Sequence, residues 1–341
     1  MKKSLITEIT IWLLTSLVIA FTVIYGINQG FGFEVFSKEK ALENLDYSRE
    51  YIQDTDNIGS LKVYWVAGDV IIKKGDSKKI KITEYSASEI TEENELSLSV
   101  SGIMLNVSWN DTRLIYVDTV VPEPNRKNLV IEVPKEMSID KITVNGVQSS
   151  VTIDSLTTDE SIAIKTSSDI RIDGCKSKSI SLNTQYGEIS CTGISANTLD
   201  ISGENSGVDL TDAIAYNTNI KNITGDVTFT GEFNNLSFIS NKGSITALTK
   251  VQTENIRIST ASGTVELTTP SDATANVSYS TMTGSFVTDY SDLPKSGKSG
   301  QFSIGEEQNG NIVRAFSLTT TSGSITLNKG DTAGKNSLSF T

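Results

Sequence analysis

The chain has 341 residues, 29 Lys and Arg against 41 Asp and Glu, a formal net charge of −12, no histidine and two cysteines. Without His there is no Ser-His-Asp triad, no Cys-His pair, no His-ligated zinc and no imidazole base, and two cysteines make neither a four-cysteine metal site nor a disulfide framework. The acidic balance argues against a nucleic-acid partner, whose phosphates need clustered Lys and Arg, and 37% hydrophobic residues exclude a disordered tail.

Lys2 and Lys3 precede an uncharged run from Ile9 to Phe33, bounded by Glu8 and Glu34. Its apolar part, residues 9–27, would make a helix of about 28 Å, close to the hydrocarbon thickness of a bilayer. Tyr25-Gly26-Ile27-Asn28 follows, with no small-x-small cleavage site. The expectation is an uncleaved single-pass anchor over 9–27, with residues 1–8 in the cytoplasm and everything after about residue 28 outside it. Residues 28–58 read as a membrane-proximal linker, in which Ser37 offers a cap for a short helix through about Gln53.

Residues 59–140 carry one stretch, Leu61, Val63, Gly68, Val70 and Ile72, that matches the repeat described next. The apolar runs after it, at 80–82, 96–100, 105–109, 114–121 and 129–133, keep no common period. This region is expected to hold degenerate repeats or an N-terminal cap, which an open stack of strands needs.

From residue 141 a small residue recurs, at Ser149, Ser168, Gly187, Ser206, Gly225, Gly243, Gly263, Gly284 and Gly323. The intervals are 19, 19, 19, 19, 18, 20, 21 and 39 residues. Apolar residues stand two and four places after these anchors, as in Val151/Ile153, Ile170/Ile172 and Val265/Leu267. A second apolar pair stands seven and five places before, as in Ile180/Leu182, Leu236/Phe238 and Ile256/Ile258. Each period is therefore two short alternating strands joined at a tight corner. A repeat of this length cannot close its own core, but a stack of them does. The chain is expected to be all-β, a β-solenoid of stacked two-strand rungs of about 19 residues over 141–327, with one N-terminal transmembrane helix. The 39-residue interval is expected to hold a hairpin insertion at about 294–312, turning at Asn309-Gly310, and 328–341 to be a tail.

The strings VAGDVIIKKGDS (66–77), LVIEVPKEM (129–137), ISTASGTVEL (258–267) and LTTTSGSITLNKG (318–330) resemble the putative-adhesin, domain-of-unknown-function family of bacterial β-strand-repeat proteins, which includes membrane-anchored LiaG-like members. The resemblance spans roughly residues 59–327. It implies an extracytoplasmic β-solenoid with an adhesive or envelope-stress role, and it brings no catalytic or ligand residues with it.

Chemistry is sought on the outward positions. The column just after the anchors reads Ser150, Asp169, Glu188, Gly207, Asp226, Ser244, Thr264, Ser285 and Ser324. Asp169 and Glu188 would stand about 5 Å apart on adjacent rungs. They are the weak candidates for a hard-cation site or for the carboxylate pair of a β-helix polysaccharide lyase or glycosidase. No Lys or Arg joins that column to hold a substrate, so the bland reading is a solvated acidic edge. No catalytic, cofactor or metal residue is assigned. Cys191 falls in an inward column and Cys175 just past a strand end; core thiols are expected, although a disulfide is permitted outside the cell. The expected function is a non-enzymatic, membrane-anchored extracytoplasmic binding or scaffold protein. Its partner would be a cell-envelope polymer or a membrane protein.

Overall fold

A strand that alternates apolar and polar residues buries one side only, so a repeat with two such strands closes its core against its neighbours. The computed structural model describes residues 45–110, 121, 125–290, 297–305 and 314–331, none of them in an α-helix. The expected anchor at 9–27 lies outside the described residues, among which no helix is long and apolar enough to cross a membrane.

The first strands are β1 (Tyr47–Gln53), β2 (Ser60–Ala67), β3 (Val70–Gly75), β4 (Ile80–Ser86), β5 (Ser97–Ser101), β6 (Met104–Ser108) and β7 (Lys127–Pro134). The repeats follow as β8 (Ile139–Gln148), β9 (Val151–Asp154), β10 (Thr158–Thr166), β11 (Ile170–Asp173), β12 (Lys176–Thr184), β13 (Ile189–Thr192), β14 (Ser195–Asn205), β15 (Val208–Thr224) and β16 (Val227–Lys242). The last part holds β17 (Ile245–Thr249), β18 (Asn255–Ser262), β19 (Val265–Thr269), β20 (Ala275–Thr281), β21 (Phe286–Thr288), β22 (Ser299–Ile304), β23 (Ala315–Ser322) and β24 (Ile325–Lys329).

All strands belong to one folded-over, 24-stranded sheet. Each rung puts its first strand on a front face and its second on a back face. β15 and β16 are long because each serves the back face of one rung and the front face of the next. Repeats pair in parallel and in step, Ile142 beside Ile162 beside Ile180 in front and Val151 beside Ile170 beside Ile189 behind. The apolar pairs read from the sequence point inward and are buried, Phe238 completely.

The corners carry a polar ladder that the apolar pattern hides. The anchor carbonyl of one rung accepts a hydrogen bond from a buried side chain two or three places before the next anchor. Thr166 Oγ1 donates to Ser149 O (2.5 Å), Thr184 Oγ1 to Ser168 O (2.6 Å), Asn222 Nδ2 to Ser206 O (2.7 Å) and Thr320 Oγ1 to Gly263 O (3.1 Å). Trp65 Nε1 takes the same place at the N-terminal end, donating to Lys127 O (2.7 Å). A carbonyl turned into a core must find a donor, and this column supplies it. The same corner brings backbones into contact. A β-carbon at Gly243, which has φ +136°, would lie 2.0 Å from Gly225 O. Only glycine fits there.

The order of the rungs departs from the order of the chain at both ends. β23 pairs with β18 on one side and β20 on the other, and β24 lies between β19 and β21. The last repeat is thus slotted between the two before it. Within the 39-residue interval the one described added strand is β22; the expected turn at Asn309-Gly310 lies outside the described residues. β22 pairs antiparallel with β20 and has no pairing with β23. At the other end β2 and β3 sit between β6 and β7 below and β8 and β9 above. Residues 60–75 are thus a full rung, and the runs after it supply another rung and its cap. Antiparallel strands finish the stack: β5 on β6, β4 on β7 and β1 on β4 at one end, β22 on β20 at the other. Residues 47–53, expected within a linker or a short helix, are strand β1, held by Arg49–Glu95 (2.6 Å) and Lys81–Glu50 (2.7 Å).

Aromatic side chains plug both ends of the core. Trp65 meets Trp109 edge-on with centroids 5.0 Å apart, and Tyr279 stacks on Phe286 at 3.9 Å with Phe302 over both.

Candidate functional site

Inward positions are filled by packing, so any ligand must be read by the outward columns. On the front face these columns run in step from rung to rung. One reads Lys62, Thr143, Ala163, Ser181, Asp200, Asn219, Ser237 and Arg257. The column beside it holds Tyr64, Asn145, Lys165, Asn183, Ser202, Lys221, Ile239 and Ser259, and the third contains Lys141. The charges in this strip are Lys62, Lys141, Lys165, Lys221 and Arg257 against the single acid Asp200. All five cations are exposed, and none forms an ion pair with a carboxylate among the described residues.

The back face is the reverse. Asp69, Asp154, Asp169, Asp173, Glu188, Asp209, Asp226, Glu266 and Asp289 project from it, against Lys73 and Arg171. Lys73 is paired with Glu132 at 3.0 Å. The chain is acidic, and its cations outnumber its acids only within these three front columns.

Asp169 and Glu188 do fall on adjacent rungs, and Asp169 has a structural task. Its Oδ1 accepts the backbone N–H of Glu188 at 2.8 Å. Asp226 does the same for Ser244 (2.7 Å), and Asn128 for Asp69 (2.8 Å). A short acceptor after the anchor thus caps the N–H of the next rung, a geometry that Asp and Asn favour. No group of three or more Cys, Asp or Glu able to hold a metal occurs among the described residues.

Two other reactive features are used up by the fold. Cys175 and Cys191 are free and buried; burial pushes the Cys175 thiol up to about 11 and raises that of Cys191 as well. Both are protonated at neutral pH, so neither is a nucleophile. The ion pair Lys127–Glu84 (2.7 Å) is buried at the N-terminal end. The ammonium also donates to Asn94 O and lies 4.9 Å from the Trp109 ring centre, while Glu84 accepts the N–H of Leu96 (3.0 Å). It fixes the loop that closes the stack.

The front strip is hidden in the sequence because its cations are scattered over distant repeats. The signal was available: Lys62 and Arg257 stand six places before their anchors Gly68 and Gly263, Lys221 four places before Gly225, and Lys165, in the shorter-cornered Ser168 repeat, three places before its anchor.

The sequence matches the Toastrack DUF4097 family over residues 58–328, most of the chain, and the protein belongs to that family. Solved structures with the same kind of fold include a putative lipid binding protein from Parabacteroides distasonis, at 14% identity over 82% of this chain and 96% of that one, with a TM-score of 0.50. A putative adhesin from the same organism is 8% identical over 83% and 97%, with a TM-score of 0.45. Another from Bacteroides fragilis is 13% identical over 82% and 96%, with a TM-score of 0.41. At these identities the likeness concerns the fold alone. No curated protein matches the chain.

Proposed function

We propose that the protein is a non-enzymatic binding module, held at the outer face of the cell membrane by residues 9–27, that takes part in adhesion or in the envelope-stress response. The observation that carries this reading is the front face: a regular, solvent-facing strip made mostly of Ser, Thr, Asn and Lys on a fixed backbone, with Tyr64 and Ile239 as its exposed apolar members. Such a face offers many donors along one line, which suits contact with a polymer or a protein surface. The lipid-binding name of one fold relative lends support to a binding role.

Two measurements test it. Protease added to intact cells without an outer barrier should digest the domain after residue 28; protection of that domain would refute the orientation. Crosslinking in living cells should capture a wall polymer if the role is adhesive, or a membrane sensor if it is signalling. If the purified full chain depolymerises an anionic polysaccharide, and Asp169→Asn or Glu188→Gln abolishes that activity, the protein is an enzyme and the binding reading fails.

A further inference from the structure

We infer that the front face binds a linear polyanion laid along the stack, with Lys62, Lys141, Lys165, Lys221 and Arg257 as its charge contacts. The inference rests on the binding-module reading and names the class of ligand.

Spacing is the first support. Lys62 and Arg257 share one column and are seven rungs apart, which at about 4.8 Å per rung is roughly 34 Å. Lys165 and Lys221 share the neighbouring column, three rungs apart or roughly 14 Å. A chain with repeated anionic groups can touch these points in turn, whereas a single small anion meets only one of them.

Charge is the second support. Neutral ladders satisfy themselves: Asn255 donates to Asn235 (2.7 Å) and Asn235 to Asn217 (3.0 Å) across rungs. The five cations have no such partner. The strip is bounded by acids at its rims, Asp140, Glu160 and Glu254 along one side and Glu204 along the other. These repel a wide anionic sheet and leave a lane parallel to the stack axis. The acids of the back face point into solvent on the far side of a core about 10 Å thick, so they and the front cations are each screened by ions in their own water, over about 8 Å in physiological salt. The net charge of −12 therefore does not cancel the field that a ligand meets on the front.

Chemistry is the third. Ammonium and guanidinium groups flanked by Ser181, Asn183 and Ser202 donate to anionic oxygens, whether of phosphodiesters or of carboxylates. Both polymers share the feature the strip recognises.

The test uses the full chain in neutral detergent, titrated with poly(glycerol phosphate), with polygalacturonate, with neutral dextran, and with vesicles of phosphatidylglycerol and phosphatidylcholine. Saturable, salt-sensitive binding to one of the two anionic polymers is expected, and which one identifies the source of the anion. The triple variant Lys141→Gln, Lys165→Gln, Lys221→Gln should bind at least about ten-fold more weakly, with the slope of log K against log salt reduced by about two to three. The control variant Lys78→Gln, Lys250→Gln, Lys298→Gln, equal in charge but off the strip, should bind as the unaltered chain does. No binding to either anionic polymer, equal loss in the control, or binding to vesicles alone overturns the inference. Dextran binding that survives the triple variant also overturns it, while leaving the protein a binding module; only depolymerisation would remove that broader reading.

Discussion

At the corner of each rung one atom decides which residue is tolerated. A methyl at Gly243 would meet Gly225 O at 2.0 Å, whereas one at Gly207, in the next position of the same kind of corner, has nothing nearer than 3.9 Å. Gly243→Ala is expected to cost about 2–4 kcal/mol, from the clash and from the positive φ together. Gly207→Ala should change stability by less than about 1 kcal/mol. Urea unfolding midpoints of the two variants check the contrast, and equal midpoints would contradict the close approach. The polar ladder makes a second demand. Thr184→Val removes the donor to Ser168 O and should cost about 1–3 kcal/mol, while Thr184→Ser keeps the hydroxyl and should restore most of it. A valine variant as stable as the serine one would show that the hydroxyl bond contributes nothing.

Among the elements, the rung β23–β24 has the most unusual place. It is the last described rung in chain order yet is covered on both sides, and among the described strands β20 and β21 pair with no other rung of the stack. Placing the final repeat inside removes a bare edge from the chain's end and leaves the outermost position to β20, which β22 covers. Truncation after Gly305 should therefore release β20–β22 while β8–β19 stay paired. Hydrogen exchange followed by mass spectrometry reads this directly: amides of 275–281 should be protected in the full chain and exchange fast in the truncated one, with 160–211 unchanged. Retained protection at 275–281 would mean that β22 alone holds β20, or that β20 takes the place of β23 beside β18.

Across the whole molecule, acids are concentrated where rungs stack them in line. Asp154 and Asp173 are direct neighbours on the back face, and like charges opposite one another oppose folding. Asp173→Asn should stabilise the protein by about 0.2–1 kcal/mol at low ionic strength. Raising salt should lift the melting temperature of the unaltered chain and shrink the benefit of the substitution, since both act on the same repulsion. A melting temperature that falls with salt would place the dominant electrostatic term in attractive pairs such as Lys79–Asp54 and Lys135–Asp76 instead.

Local alternation was enough to define the rung. Val151/Ile153 and Ile180/Leu182 can be buried in only one way once their period is two, and a spacing held near 19 residues forces successive copies into register. The carboxylate pair Asp169 and Glu188 was legible as neighbours for the same reason. Its use as a cap was not, because that depends on where the N–H of the next rung points. The polar ladder was invisible for a related cause: Thr184 looks like any exposed strand threonine until the corner turns it inward. The positions of β23 and β22 lay beyond the sequence altogether. Repeats that are nearly identical in pattern pair equally well in any order, so periodicity specifies the rung but not its neighbour. Which rung lies beside which is settled by the three-dimensional fit of end pieces, Phe302 over Tyr279 and Phe286 at one end and Trp109 against Trp65 at the other. The cationic front columns and the acidic back face follow from the same fact, since charges scattered along the chain become a strip only when the rungs are stacked.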